Sequence, residues 1–150
     1  MVHRSVGYDA AKMTKGRKRH LVVNTLGLMM AVVVTAVNVT ERDGGQQVLQ
    51  KLHQLGETMA RIYLVWIDGG YSGLNFLLWA MDTLGWIVQV VLRPQQSKGF
   101  ILLKKRWIVE PTFGWWQWSR RLVQDYEQLP ENAEAMLQIA MVRIMLRRLA

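Results

Sequence analysis

A chain of 150 residues that is 51% hydrophobic can bury one core but not two, and it is too apolar to be disordered over most of its length. The absence of cysteine excludes disulfides and thiolate metal sites. A formal net charge of +8 and a pI of about 10.2 favour a polyanionic partner over an acidic or neutral surface.

In chain order, the first stretch, MVHRSVGYDAAKMTKGRKRH, lacks the apolar run of a signal peptide. Residues 1–19 are predicted to be a basic, irregular arm. Residues 12–20 hold five cations (Lys12, Lys15, Arg17, Lys18 and Arg19) and no acid, the composition of a non-specific, salt-sensitive phosphate-binding segment. A merely solvated charged loop has the same composition. Residues 21–39 carry no charge and come close to bilayer-spanning length, with a basic flank that would suit a membrane anchor. Asn24, Thr25, Gly27, Thr35, Asn38 and a run of valines point instead to a buried hairpin. Its strands run over 20–26 and 28–39, turning at N-T-L-G.

ERDGG reads as a turn. Val48, Leu49, Leu52 and Leu55 then recur at helical spacing, with Gly56 as a stop. Residues 62–67, IYLVWI, predict a third strand, apolar on both faces as in a covered sheet. LNFLLWAMDTLG predicts a helix ending at Gly85, and WIVQVVL a fourth strand closed by Arg93-Pro94. Residues 95–104 read as a polar turn and a short apolar stretch. From about 105 the chain looks helical, interrupted around Gln128 to Pro130, with a last helix bearing Arg143, Arg147 and Arg148 where its dipole favours cations. Met136, Leu137, Ala140, Met141 and Ile144 form its core stripe. Strands separated by helices after an opening hairpin make an α/β fold with a mixed sheet.

Two acids stand out. In LVWIDGGYSG, Asp68 ends an apolar strand before glycines that keep bulk away, so a ligand could approach it closely. Capping the following turn with its own side chain is the alternative use of that carboxylate. Glu110 is the lone carboxylate between Asp82 and Asp125, among Lys104, Lys105, Arg106 and several aromatics. A salt bridge would explain it. So would phosphodiester chemistry, in which carboxylates hold divalent ions and cations hold phosphate. Four of the seven tryptophans (Trp107, Trp115, Trp116, Trp118) fall within twelve residues, and most are expected in the core rather than stacked on bases. His20 and His53 lack a partner at metal-ligand spacing.

Three stretches carry a resemblance in unbroken order: GYDAAKMTKGRKRHLVVNTLGLMMAVVVTAVNVTERDGG, VWIDGGYSG, and KGFILLKKRWIVEPTFGW through DYEQLPENAEAMLQIAMVRIMLRRLA. Together they resemble the C-terminal part of a bacterial insertion-sequence transposase of the DDE class, in the insertion sequence five group. The resemblance implies a ribonuclease-H-like fold and three carboxylates holding two magnesium ions. It also implies cleavage of element ends with joining of the 3′ hydroxyls to target DNA, in the bacterial cytoplasm on the nucleoid. By position, Asp68 matches the second catalytic aspartate and Glu110 the catalytic glutamate, both as metal ligands. Arg106 matches an arginine that would contact phosphate. Lys105 and the five cations of residues 12–20 complete the implied DNA-binding set.

Departures from the family pattern shape the expectation. The family's first aspartate lies on a central strand upstream of G-Y-D, so the resemblance implies a domain lacking that strand, with an opened sheet and a catalytically incomplete site. Asp9, in a polar segment, suits turn capping rather than that role. Pro111 stands where arginine is common. In a first turn it is harmless, but in a helix interior it costs about 3 kcal/mol, and a helix starting near Lys104 would misaim Glu110. Asn24 replaces a frequent aspartate and Trp118 a basic residue. The expected partners are DNA and, for a regulatory fragment, a full-length transposase or a second copy of the chain. A membrane is not expected.

Overall fold

Residues 6–92 and 107–149 are described by the computed structural model. The valine-rich run forms the deepest part of the molecule. Strand β2 (Thr14–Val23) pairs antiparallel with β3 (Met29–Ala36), from Arg17 opposite Ala36 to Val23 opposite Met29. Asn24 makes the turn between them. Its Oδ1 accepts from the backbone N–H of Leu26 (2.9 Å) and Leu28 (3.0 Å), a role the aspartate common in the resembling family could also fill.

Alternation along β3 explains why residues 21–39 are so apolar. Ala31 and Val33 face one core with α1 (Glu41–His53), and Val32 and Val34 face another with α5 (Pro130–Leu149). Both faces of the hairpin are covered, so both alternating sets must be apolar. Among the described residues no helix is long and apolar enough to cross a membrane. The outer edge of β3 is closed by side chains. Lys51 donates to the Val32 carbonyl (3.0 Å), Glu134 accepts from the Val34 N–H (2.8 Å), and the two residues pair with each other.

Within the described part of the expected irregular arm, residues 6–19, the chain is largely strand. A short strand β1 (Gly7–Asp9) pairs with Thr14–Gly16, and β2 begins within the basic run. A strand rather than a loop forms because Arg17, Lys18 and Arg19 alternate over a surface that binds each of them. Asp9 caps the bend, its Oδ1 accepting from Ala11 N (3.0 Å) and Lys12 N (3.2 Å).

The helix read as starting near Val48 starts at Glu41, with Thr40 as its N-cap accepting from the Asp43 N–H. D-G-G lies inside it, not in a turn. Gly44 and Gly45 are tolerated because aromatic rings lie against them, which offsets their intrinsic cost of roughly 1 kcal/mol each. A Cβ on Gly44 would sit 2.2 Å from the His20 ring and one on Gly45 2.8 Å from the Tyr71 ring.

Strand β4 (Leu64–Asp68) pairs parallel with β5 (Ile87–Val91), joined by α2 (Leu74–Leu84), which stops at the left-handed Gly85 (φ 71°). The architecture is therefore α/β, and among the described residues the strands lie in two sheets rather than one mixed sheet: an antiparallel β1-β2-β3 and a parallel β4-β5. No ladder joins β2 to β4 among the described residues, and α1 spans the gap, packing against β2, β3 and α2. Of β4, only Val65 is fully buried, because a cleft rather than a strand flanks its free edge.

The C-terminal region folds as α3 (Glu110–Gln117), α4 (Arg120–Val123) and α5, interrupted more widely than expected. Trp116, Leu122, Leu137 and Met141 anchor it, and burying each large side chain contributes about 1.5–3 kcal/mol. The whole predicted stripe of α5 lies in this cluster. Of the tryptophan cluster only Trp116 is fully buried. Trp115 lies under the Arg148 guanidinium (4.3 Å), and Trp107 and Trp118 are exposed, contrary to the expectation of core for most.

Candidate active site

A cleft of about 640 Å³ is walled by β2, α1, β4 and the start of α3. Asp68 and Glu110, 42 positions apart in the chain, both line it. They are the only carboxylates among the described residues that do.

Asp68 is exposed at the C-terminal end of β4, opposite Val91. Its Oδ1 accepts from the Gly69 N–H at 2.7 Å and caps a single 3-10 turn, Gly69–Tyr71. It therefore caps the turn, the alternative use foreseen for it, and it also lines the cleft. Gly70 lies over Glu41, whose Cγ would be 3.6 Å from an added Cβ.

Glu110 is the first residue of α3, with Pro111 in the first turn, where proline forfeits no helical hydrogen bond. Helix α3 starts at Glu110, so Pro111 does not lie in its interior. Residues 107–109 form a turn instead. The α3 dipole favours a carboxylate at this end. Among the described residues no salt bridge engages Glu110, so the salt-bridge explanation has no support there. Helix α3 is held to the hairpin turn by the buried Thr112, whose hydroxyl donates to the Gly27 carbonyl at 2.6 Å.

The five cations of the basic run divide. Lys12 and Lys15 are exposed. Arg17 has a side chain only 3% exposed, and it donates to Asp125 (3.1 Å) and to the carbonyls of Glu127 (2.9 Å) and Gln128 (2.6 Å). Lys18 donates to the Val39 carbonyl and to Glu41. Arg19 donates to the Leu122 carbonyl and also lines the cleft, and burial, opposed by Asp125, holds its pKa below the usual value. Lys105 and Arg106 lie outside the described residues.

Sequence reasoning assigned nothing to His20, yet it is 2% exposed and bonded on both ring nitrogens. Nδ1 meets the Tyr71 hydroxyl at 3.0 Å, and Nε2 meets the Thr35 hydroxyl at 3.1 Å. Burial, then Lys18, pushes its pKa down, while Glu41 pulls the other way. Burial also raises the Tyr71 pKa, with Glu41 and Asp68 adding to the rise. The Glu41 carboxyl is held low first by the hydrogen bond from Lys18 and by its own backbone, with a smaller pull from Lys12. The signal that could have exposed this cluster is D-G-G set one strand pair after a histidine, since glycines inside a helix invite close ring packing.

Two hard oxygen donors lining one cleft suit magnesium in kind. In number they fall short, since no group of three or more His, Cys, Asp or Glu that could hold a metal occurs among the described residues. The fold is thus that of an α/β protein with a cleft that two carboxylates line. The chain belongs to the transposase DDE domain family, whose model matches residues 2–145. No curated protein and no solved structure matches it. Membership ties the chain to DNA transposition, and the family generally uses divalent metal.

Proposed function

We propose that this chain is part of the catalytic domain of a bacterial insertion-sequence transposase of the insertion sequence five group, with a ribonuclease-H-like fold, in which Asp68 and Glu110 are ligands for magnesium. The observation that carries this reading is the convergence of these two acids on one cleft. When bound, the metal would polarise phosphate oxygens during strand cleavage. Asp68 presents its carboxylate from the end of a strand, and Glu110 presents its own from the first turn of a helix that favours negative charge. Two carboxylates do not complete a two-metal centre, so the chain alone is catalytically incomplete and a third ligand has to come from another segment or chain.

DNA contact by Lys12 and Lys15, with Lys105 and Arg106 adding to it, is non-specific in this reading and acts on phosphates. The location is the cytoplasm, on the nucleoid when DNA is bound. The test is Mn²⁺ binding followed by electron paramagnetic resonance, together with anisotropy of labelled duplex DNA. Weak Mn²⁺ binding lost in Asp68→Asn and in Glu110→Gln, with salt-sensitive DNA binding retained in both, supports the reading. Mn²⁺ binding indifferent to both substitutions overturns it.

A further inference from the structure

We infer that His20 and Tyr71 are positioning residues that hold Asp68 in register with Glu110 across the cleft. This rests on the reading of those two acids as metal ligands. The two carboxylates ride on different parts of the molecule. Asp68 ends β4, in the parallel sheet. Glu110 opens α3, which is docked on the antiparallel hairpin through Thr112 and the Gly27 carbonyl and through buried Trp116. Because no backbone ladder joins the two sheets among the described residues, their relative placement rests on side chains.

Apolar packing around α1 sets the spacing of the sheets but does not set direction. A hydrogen bond does. The one between Tyr71 and His20 links the two sheets beside Asp68. Tyr71 ends the turn that Asp68 caps, and the turn is closed by Ser72 N–H donating to the Gly69 carbonyl (3.1 Å), so both side chains are carried by one short hydrogen-bonded turn. At the other end, His20 cannot shift. Thr35 holds Nε2, the Tyr71 ring stands edge-on at 85°, and Gly44 closes on the imidazole. Gly45 leaves the slot for the Tyr71 ring. Helix α1 thus carries two consecutive glycines where side chains would otherwise displace both rings. The pair Lys18–Glu41 flanks the same bridge, with Glu41 behind Gly70.

The test uses the full chain. Because it has no cysteine, Asn75→Cys at the start of α2 and Gln117→Cys at the end of α3 provide two unique spin-label sites, both exposed. The label-to-label distance distribution reports the register directly and needs no metal, and Mn²⁺ affinity is measured in parallel. In Tyr71→Phe, which keeps the ring, and in His20→Leu, the distribution is expected to widen about twofold and Mn²⁺ affinity to fall about 10-fold or more, the usual effect of losing an outer-shell partner. His20→Asn, whose amide reaches the Nδ1 position, is expected to restore the narrow distribution. Val37→Ala, at a buried position outside both core clusters, is destabilising and is expected to change neither. Unchanged width and affinity in Tyr71→Phe overturn the positioning role, even if His20→Leu fails to fold. Widening in Tyr71→Phe in a chain that binds no Mn²⁺ supports the positioning role while overturning the metal reading.

Discussion

Lys12 and Lys15 on one side of Gly16, and Arg17, Lys18 and Arg19 on the other, are a single basic run in sequence and two different things in the fold. The first pair stands in solvent on the β1–β2 bend. The second set is turned inward, each member bonded to backbone carbonyls or carboxylates of residues far away in the chain. A count of positive charge therefore overstates the phosphate-binding capacity of this segment. Part of it is consumed in fastening the C-terminal helices and α1 to β2.

The sharpest way to break this contrast is Arg17→Met. It leaves the Glu127 and Gln128 carbonyls and Asp125 without their donor, and is expected to lower stability to urea by about 3 kcal/mol. Loss of less than about 0.5 kcal/mol, the ordinary surface value, would show that Arg17 is no more structural than Lys12.

Next in size is a pH effect at His20, the residue that closes the buried half of the run. Its folded pKa is depressed, so the unfolded chain takes up the extra proton. The stability it contributes is complete above the ordinary histidine value of 6.5 and is lost as pH falls from there through the folded value. The groups facing it are Lys18, Glu41 and Tyr71. Urea midpoints measured from pH 7 to pH 5 should fall with a slope of at most about 1.4 kcal/mol per pH unit, and the slope should flatten in His20→Asn. Glu41, also depressed, adds its loss at lower pH, from its ordinary value of 4.5 downward. An equal slope in both chains would remove His20 as the cause.

A smaller effect is expected for Lys18→Met. Its partner Glu41 has a side chain 41% exposed, so the cost should be about 1 kcal/mol or less by urea unfolding. The smallest change in stability, under about 0.5 kcal/mol, is expected for Lys12→Ala with Lys15→Ala. That same double variant should weaken DNA binding evenly across sequences. It should also make the log–log salt dependence shallower by about 1.8, the value for two lost phosphate contacts. An unchanged salt slope would assign the exposed pair to solvent rather than DNA.

Local signals were legible where the physics is local. The hairpin around Asn24, α2 with its stop at Gly85, β5 and the apolar stripe of α5 follow from period, turn chemistry and capping. The D-G-G stretch misled because two glycines in succession ordinarily mark a turn. Here the rings of His20 and Tyr71 press on them inside a helix, and no window of sequence contains both partners. The same limit applied to Arg17, whose acceptors lie more than 100 residues away. Asp68 and Glu110 were found as isolated acids in apolar and basic surroundings, but their sharing a cleft is a tertiary fact.

What the amino-acid sequence determined by itself is most of the elements, the covered valine hairpin and the family, because periodicity, turn residues and motif order are carried by neighbours in the chain. What only the tertiary structure decided is which charges are available, that the strands divide into two sheets, and that a buried histidine reaches the tyrosine beside Asp68. Those outcomes depend on desolvation and on hydrogen bonds between residues distant in sequence. Their strength is fixed by what surrounds each group after folding, not by what precedes it in the chain.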